Sequence, residues 1–277
     1  TIDFSSDRGR AIDIRLLNPI TSKVMTGSSS GTAINVLYGL NTVGIGTDGG
    51  GSVLGPAISL NLYSALLSGM GLKGKNKKKS TDEIAFIAGI GFITQNFMEL
   101  EKVLKIFYEE SEKKLKKLVL SDTLEKEIGD KLKNNYEITI WKDKSLFSRE
   151  ELMTELNNIF QKGDVFIYIE KNIEVEGIGD SVLGSLGDSG KVFQENSNKK
   201  FLKVFNLLDC TAITIPLKNI GSSIVIATPK GKNGLKYVLE IGKILDYEYR
   251  PKLFQEYFLN YPLKRIDNRT FEILEEM

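Results

Sequence analysis

Apolar positions in this chain follow two rhythms. From Phe97 the residues Phe97, Leu100, Val103, Leu104 and Phe107 recur at helical spacing, which predicts a helix to about residue 118 with a charged outer face. Leu235, Val238, Leu239 and Ile241 repeat that spacing and predict a helix over 234–246. Ser148 with Glu151 forms a capping-box pattern that opens a helix to about residue 160. Residues 32–40 (TAINVLYGL) predict a short apolar helix after a Ser/Gly turn. Pro56 sits at a first-turn position and predicts another to about residue 68, ended by Gly69 and Gly71. The second rhythm is the short apolar run. Residues 43–45, 84–93 (IAFIAGIGFI, one strand or a pair), 137–141 (EITIW), 164–169 (DVFIYI), 211–216 (TAITIP) and 222–227 (SSIVIA) predict strands.

The remaining segments lack periodicity. Residues 1–26 read as an extended or looping arm, and 73–79 (KGKNKKK) as a solvated basic loop rather than an anion site. Residues 177–190 are rich in Gly, Ser and Asp and predict a loop shaped by Asp180 and Asp188. The tail from residue 250 is expected to pack across the surface. Strands alternate with helices, so the expected class is α/β, with a mixed central sheet and helices on both faces. No repeat or linker divides the chain, so one domain over 1–277 is expected.

Composition narrows the chemistry. The 277 residues are 41% hydrophobic and 26% charged, an ordinary globular balance. Lys+Arg is 37 and Asp+Glu is 36, which gives no reason to expect nucleic acid or a membrane surface as partner. No apolar run reaches a membrane span, and the opening residues TIDFSSDRGR are not a signal peptide. Cys210 is the one cysteine, so a reducing, cytoplasmic setting is expected. The count of histidines is zero. That excludes a Ser-His-Asp triad, a Cys-His pair and an HExxH zinc site, and no metal or cofactor is expected.

Residues 46–52 read GTDGGGS. A turn usually needs one glycine, and three together leave backbone that another group can approach closely. Ser52 is then either a nucleophile surrounded by backbone N–H groups or an ordinary turn serine. As a nucleophile it needs a lysine, a carboxylate or another group as base.

Upstream lies GSSSG at 27–31. The stretch 27–57, GSSSGTAINVLYGLNTVGIGTDGGGSVLGPA, resembles the core signature of the amidase signature family. There a GGSSGG turn, a small-residue helix, a short strand, GTDxGGS and a proline-started helix succeed one another, and the spacing matches without a gap. Asn18-Pro19, Gly71-Leu72-Lys73, residues 90–107 and NLLDCTAITIP at 206–216 resemble further family segments.

The resemblance implies acyl transfer from a small amide or acyl substrate. It implies Ser52 as nucleophile, Ser28 as proton relay after a cis peptide, and Ser29 as support for a lysine. Gly49, Gly50 and Gly51, with the Ser52 amide, would form the oxyanion hole, and Thr47 and Asp48 would hold the turn. The read-alone alternative for Ser28 and Ser29 is helix capping. The family's lysine lies on a strand well upstream of the double serine, and Lys23 is the single lysine before Ser52 in this sequence. The expected domain is therefore N-terminally shortened, with Lys23 or a lysine of another chain as base. Thr26 and Ser30 stand where the family has glycines, Leu54 where it has arginine, and Asp209-Cys210-Thr211 where it has GLP. These departures keep a second expectation open: a non-catalytic descendant serving as a ligand-binding or scaffold subunit, in a complex or a homo-oligomer.

Overall fold

The computed structural model describes residues 2–4, 10–12, 17–23, 25–80, 83–108, 112–146, 148–173 and 199–249. The expected loop at 177–190 with Asp180 and Asp188, and the tail from 250, lie outside the described residues.

The strands are β1 (Ile2–Phe4), β2 (Arg10–Ile12), β3 (Val43–Asp48), β4 (Tyr63–Leu67), β5 (Lys73–Lys79), β6 (Ala85–Thr94), β7 (Lys117–Ser121), β8 (Glu137–Trp141), β9 (Val165–Glu170), β10 (Thr211–Pro216) and β11 (Ser223–Thr228). The helices are α1 (Ser30–Leu37), α2 (Leu54–Ser59), α3 (Phe97–Lys105), α4 (Asp122–Lys133), α5 (Arg149–Phe160) and α6 (Gly234–Tyr249). β1 and β2 form an antiparallel pair. The other nine strands form one sheet in the order β3-β6-β4-β10-β11-β9-β7-β8, with β5 on β6. β7 runs parallel to β8 and β9, and the remaining pairings are antiparallel, so the sheet is mixed.

Both faces of the sheet are buried, and the period-2 alternation decides what each face holds. Ile213, Ile215, Ile224 and Ile226 point to one side, where Leu100 and Leu104 of α3, Ile128 of α4 and Val238 of α6 meet them. Ala212, Val225 and Ala227 point to the other, against Ile58 of α2 and Leu156 of α5. Central strands covered on both sides read as continuous apolar runs, which is why TAITIP and SSIVIA were legible. Ala33 and Val36 of α1 pack with Ala57 of α2 in a third cluster beside them. The expected mixed α/β architecture is present.

Three elements differ from the sequence expectation. The helix expected to run from Pro56 to about residue 68 ends at Ser59. Asn61 then turns the chain with a φ of 51°, and its side chain is tied to the Leu217 carbonyl at 2.8 Å and the Gly221 amide at 3.1 Å. The chain continues as β4, fully buried between β6 and β10. A short apolar run has no periodicity to tell a buried strand from a helix. The basic loop at 73–79 is β5, paired with β6 alone among the described residues. Lysines on a strand with an open edge discourage further pairing. The helix from Phe97 stops at Lys105, and β7 and α4 come after it. Ile106 is 76% exposed, so the apolar stripe has already left the core there.

Candidate active site

β3 is the outer strand at one end of the sheet, and it delivers residues 46–48 to a corner also reached by the start of α1. The Ser29 amide donates to the Ser52 carbonyl at 3.1 Å, which brings the 27–31 turn against the 46–52 turn. The Ser29 hydroxyl occupies the place where a side chain on Gly46 would stand. Ser29 is the residue that opens α1, yet its side chain makes no capping bond, so the capping alternative does not describe it. The Gly27–Ser28 peptide is cis, as the resemblance implies. Ser29 is buried, Ser28 is exposed and Ser52 is partly exposed. Thr47 is exposed on β3 opposite Ile90.

Asp48 is fully buried at the centre of the glycine turn. Its Oδ1 accepts from the Gly51 amide at 2.6 Å, and its Oδ2 from the Val53 and Leu54 amides at 2.7 and 3.2 Å. One carboxylate thus folds the turn around itself and ties it to the first turn of α2. Burial pushes the carboxyl above its ordinary range, and these amides oppose that shift. Gly51 has a φ of 92°, a conformation that suits glycine. Its amide, expected among the oxyanion donors, is donated to Asp48.

A residue far along the chain enters this corner. Lys199 is 2% exposed. Its Nζ donates to Thr26 Oγ1 at 2.6 Å, two residues before Ser28. Its stem crosses the glycine turn: a Cβ added to Gly55 would stand 2.8 Å from Lys199 Cε and 3.2 Å from Nζ, and one on Gly51 would stand 3.6 Å from Cδ. Gly55 lies three residues beyond Ser52, and its amide donates to the Gly51 carbonyl at 2.9 Å. The amine therefore sits between Thr26, next to the first serine turn in sequence, and Gly55, next to the second.

The segment carrying Lys199 is pinned from behind. Phe201 is fully buried, with its ring 5.3 to 5.6 Å from those of Phe166, Tyr168 and Trp141. Lys200 Nζ reaches Asp143 at 2.5 Å. The backbone of Lys200 donates to Glu170, a buried carboxyl that also accepts from the Tyr168 hydroxyl at 3.1 Å. Burial pushes Glu170 up to about 8, against the pull of Tyr168, Lys200 and Lys203. Leu202 then packs beside Gly51.

Lys23 is half-buried, and its carbonyl accepts from the Asn18 amide at 2.8 Å. Leu54 is buried in α2. Asp209 is paired with Lys73 and, at 2.9 Å, with Lys230. Cys210 is fully buried, and burial drives its thiol well above the ordinary range, in keeping with a packing role. Lys199 was missed by sequence reasoning. It sits in KKFLK at 199–203, where three lysines look alike and nothing local separates the buried one from its partly exposed neighbours.

Residues 15–163, more than half of the chain, match the amidase family model. The chain belongs to the amidase family. Solved structures share its fold. One amidase superposes with a TM-score of 0.52 at 16% identity, covering 84% of this chain and 71% of its own. A 6-aminohexanoate cyclic dimer hydrolase complexed with substrate gives 0.53 at 13%, covering 82% and 70%. An amidase family protein from Bacillus anthracis str. Ames gives 0.52 at 12%, covering 90% and 66%. No curated protein sequence matches the chain. No helix among the described residues is long and apolar enough to cross a membrane.

Proposed function

We propose that this amidase-family chain is a serine hydrolase of small carboxamides, with Ser52 as nucleophile. Ser52 Oγ attacks the amide carbonyl carbon, the carbonyl π pair moves onto oxygen, and the C–N bond then breaks to leave an acyl-Ser52 ester. Water releases the acid. Ser28 relays the proton that leaves Ser52, and Ser29 backs the relay from its buried position against Gly46. With the Gly51 and Ser52 amides both turned to the Asp48 carboxyl, the donors for the oxyanion are Gly49 and Gly50, each worth on the order of 3 kcal/mol to the transition state. Asp48 holds the turn and takes no part in the proton transfer.

The observation that carries this reading is the Ser29-to-Ser52 backbone bond of 3.1 Å, which brings the turn holding exposed Ser28 against the turn holding partly exposed Ser52, the latter organised by one buried carboxylate. A small amide is the favoured substrate class because a structurally similar protein is named as hydrolysing 6-aminohexanoate cyclic dimer, itself an amide. The test is release of ammonia or aryl amine from a panel of short aliphatic amides and anilides. Turnover of at least one member, lost in Ser52→Ala, is the expected result. An inert wild type across the panel favours the non-catalytic scaffold instead.

A further inference from the structure

A serine that attacks an amide must lose its proton, and a chain without histidine has few groups able to take it. Sequence order points to Lys23, whose carbonyl is engaged by Asn18. The fold brings a different amine to the corner. We propose that Lys199 Nζ is the proton acceptor for Ser52, reached through the Ser28 hydroxyl. This rests on Ser52 being the nucleophile.

Four observations converge on it. Lys199 is 2% exposed, which is rare for lysine and calls for a reason. Its Nζ is anchored at 2.6 Å on Thr26, two residues before Ser28. Its stem fills the space beside Gly55, where a side chain could not stand without moving it, and passes within van der Waals contact of Gly51, so it borders Ser52 on both sides in sequence. The segment behind it is held by Phe201 in the aromatic cluster, by Lys200 on Asp143 and by Glu170. A lysine kept only to shield the core would be better served by an apolar residue, because burying an amine costs more than burying a methyl group.

Protons and electron pairs balance in both halves of the reaction. Ser52 Oγ forms its bond to the carbonyl carbon while its proton passes to Ser28 and the Ser28 proton passes to the lone pair of Lys199 Nζ. The resulting ammonium returns a proton by the same route to the departing amide nitrogen as the C–N bond breaks. In the second half a water proton takes that path to Lys199, hydroxide adds to the acyl carbon, and Ser52 leaves with the proton restored. One N–H of Lys199 stays on Thr26 throughout and fixes the direction of the lone pair.

The experiment reads the rate at which a fluorophosphonate labels Ser52 in the full chain, a reaction in which the Oγ–P bond forms and fluoride leaves. It therefore needs no known substrate. Lys199→Met removes the amine. Lys199→Arg keeps N–H donors for Thr26 but cannot take part as a base. Both are expected to label at least about 100-fold more slowly than wild type, the lower end of what a general base contributes. Circular dichroism and melting temperature check that each variant is folded. Lys199→Ala is expected to regain labelling when ethylamine is added, a rescue that a purely structural lysine would not show. Labelling of Lys199→Arg within about threefold of wild type overturns the proposal, as does collapse in Lys23→Met with Lys199→Met unaffected. A wild type that never labels at Ser52 removes the nucleophile reading itself, and the wild-type arm tells that outcome apart from a failure of Lys199 alone.

Discussion

Lys199 Nζ donates a 2.6 Å hydrogen bond to Thr26 Oγ1 across 173 positions of sequence. This bond joins the segment before β10 to the turn before α1, and it is made by two buried side chains. Removing the acceptor leaves a buried amine short of one partner. Thr26→Val is predicted to lower unfolding free energy by about 1–3 kcal/mol, whereas Thr26→Ser keeps the hydroxyl and most of the stability. Urea denaturation of the two variants checks it. Equal midpoints for valine and wild type would show that the bond contributes nothing.

Gly55 separates fold from chemistry. Alanine in a helix interior is ordinarily favoured over glycine by about 1 kcal/mol. Here its Cβ would stand 2.8 Å from Lys199 Cε, the far part of a flexible side chain. Gly55→Ala is therefore predicted to fold with a melting temperature within a few degrees of wild type. Its rate of Ser52 labelling is predicted to fall about tenfold or more because the amine is pushed aside. Unchanged labelling would mean that the position of Lys199 does not matter.

Asp48 accepts from amides and has no proton to give when ionised. Asp48→Asn keeps the shape but turns an NH₂ toward the amide of Gly51 or those of Val53 and Leu54. A buried donor facing a donor costs about 1–3 kcal/mol. The variant is predicted to be less stable by that amount and to lose Ser52 labelling, since the turn can no longer close on itself. Denaturation and labelling run on the same preparation check both parts.

Much of this architecture was legible because pattern and burial agree. The alternation in TAITIP and SSIVIA matches strands covered on both faces, and the Ser148–Glu151 capping box is present as expected. The two serine turns were legible from their residues, and the 3.1 Å Ser29–Ser52 bond places them together. Where expectation failed, local pattern was silent. The apolar run that forms β4 is set by the left-handed turn at Asn61, whose partners lie more than 150 residues away. Lys199 is a matter of tertiary placement: Phe201, Lys200 and Glu170 decide which of three neighbouring lysines turns inward, and no periodicity encodes that.

Glu170 gives the chain a signature in pH. Its folded pKa of about 8 stands above the ordinary 4.5. The folded chain thus keeps a proton that the unfolded chain has lost. The stabilisation is complete below about pH 4.5 and fades as pH rises toward 8, with a slope on the order of 1 kcal/mol per pH unit from this group. Glu170→Gln still accepts from Tyr168 and Lys200 and carries no such proton. The difference in stability between Glu170→Gln and wild type is predicted to grow in favour of the variant from pH 5 to pH 8. A constant difference across that range would mean that Glu170 is ionised in the folded chain.

The central claim is that Ser52 is a reactive nucleophile in a serine relay. Mass mapping of the full chain after fluorophosphonate treatment tests it most directly. The account predicts one adduct, on the peptide that holds Ser52, absent in Ser52→Ala and formed at least about tenfold more slowly in Ser28→Ala. An unlabelled wild type, or an adduct that persists undiminished in Ser52→Ala, would contradict it.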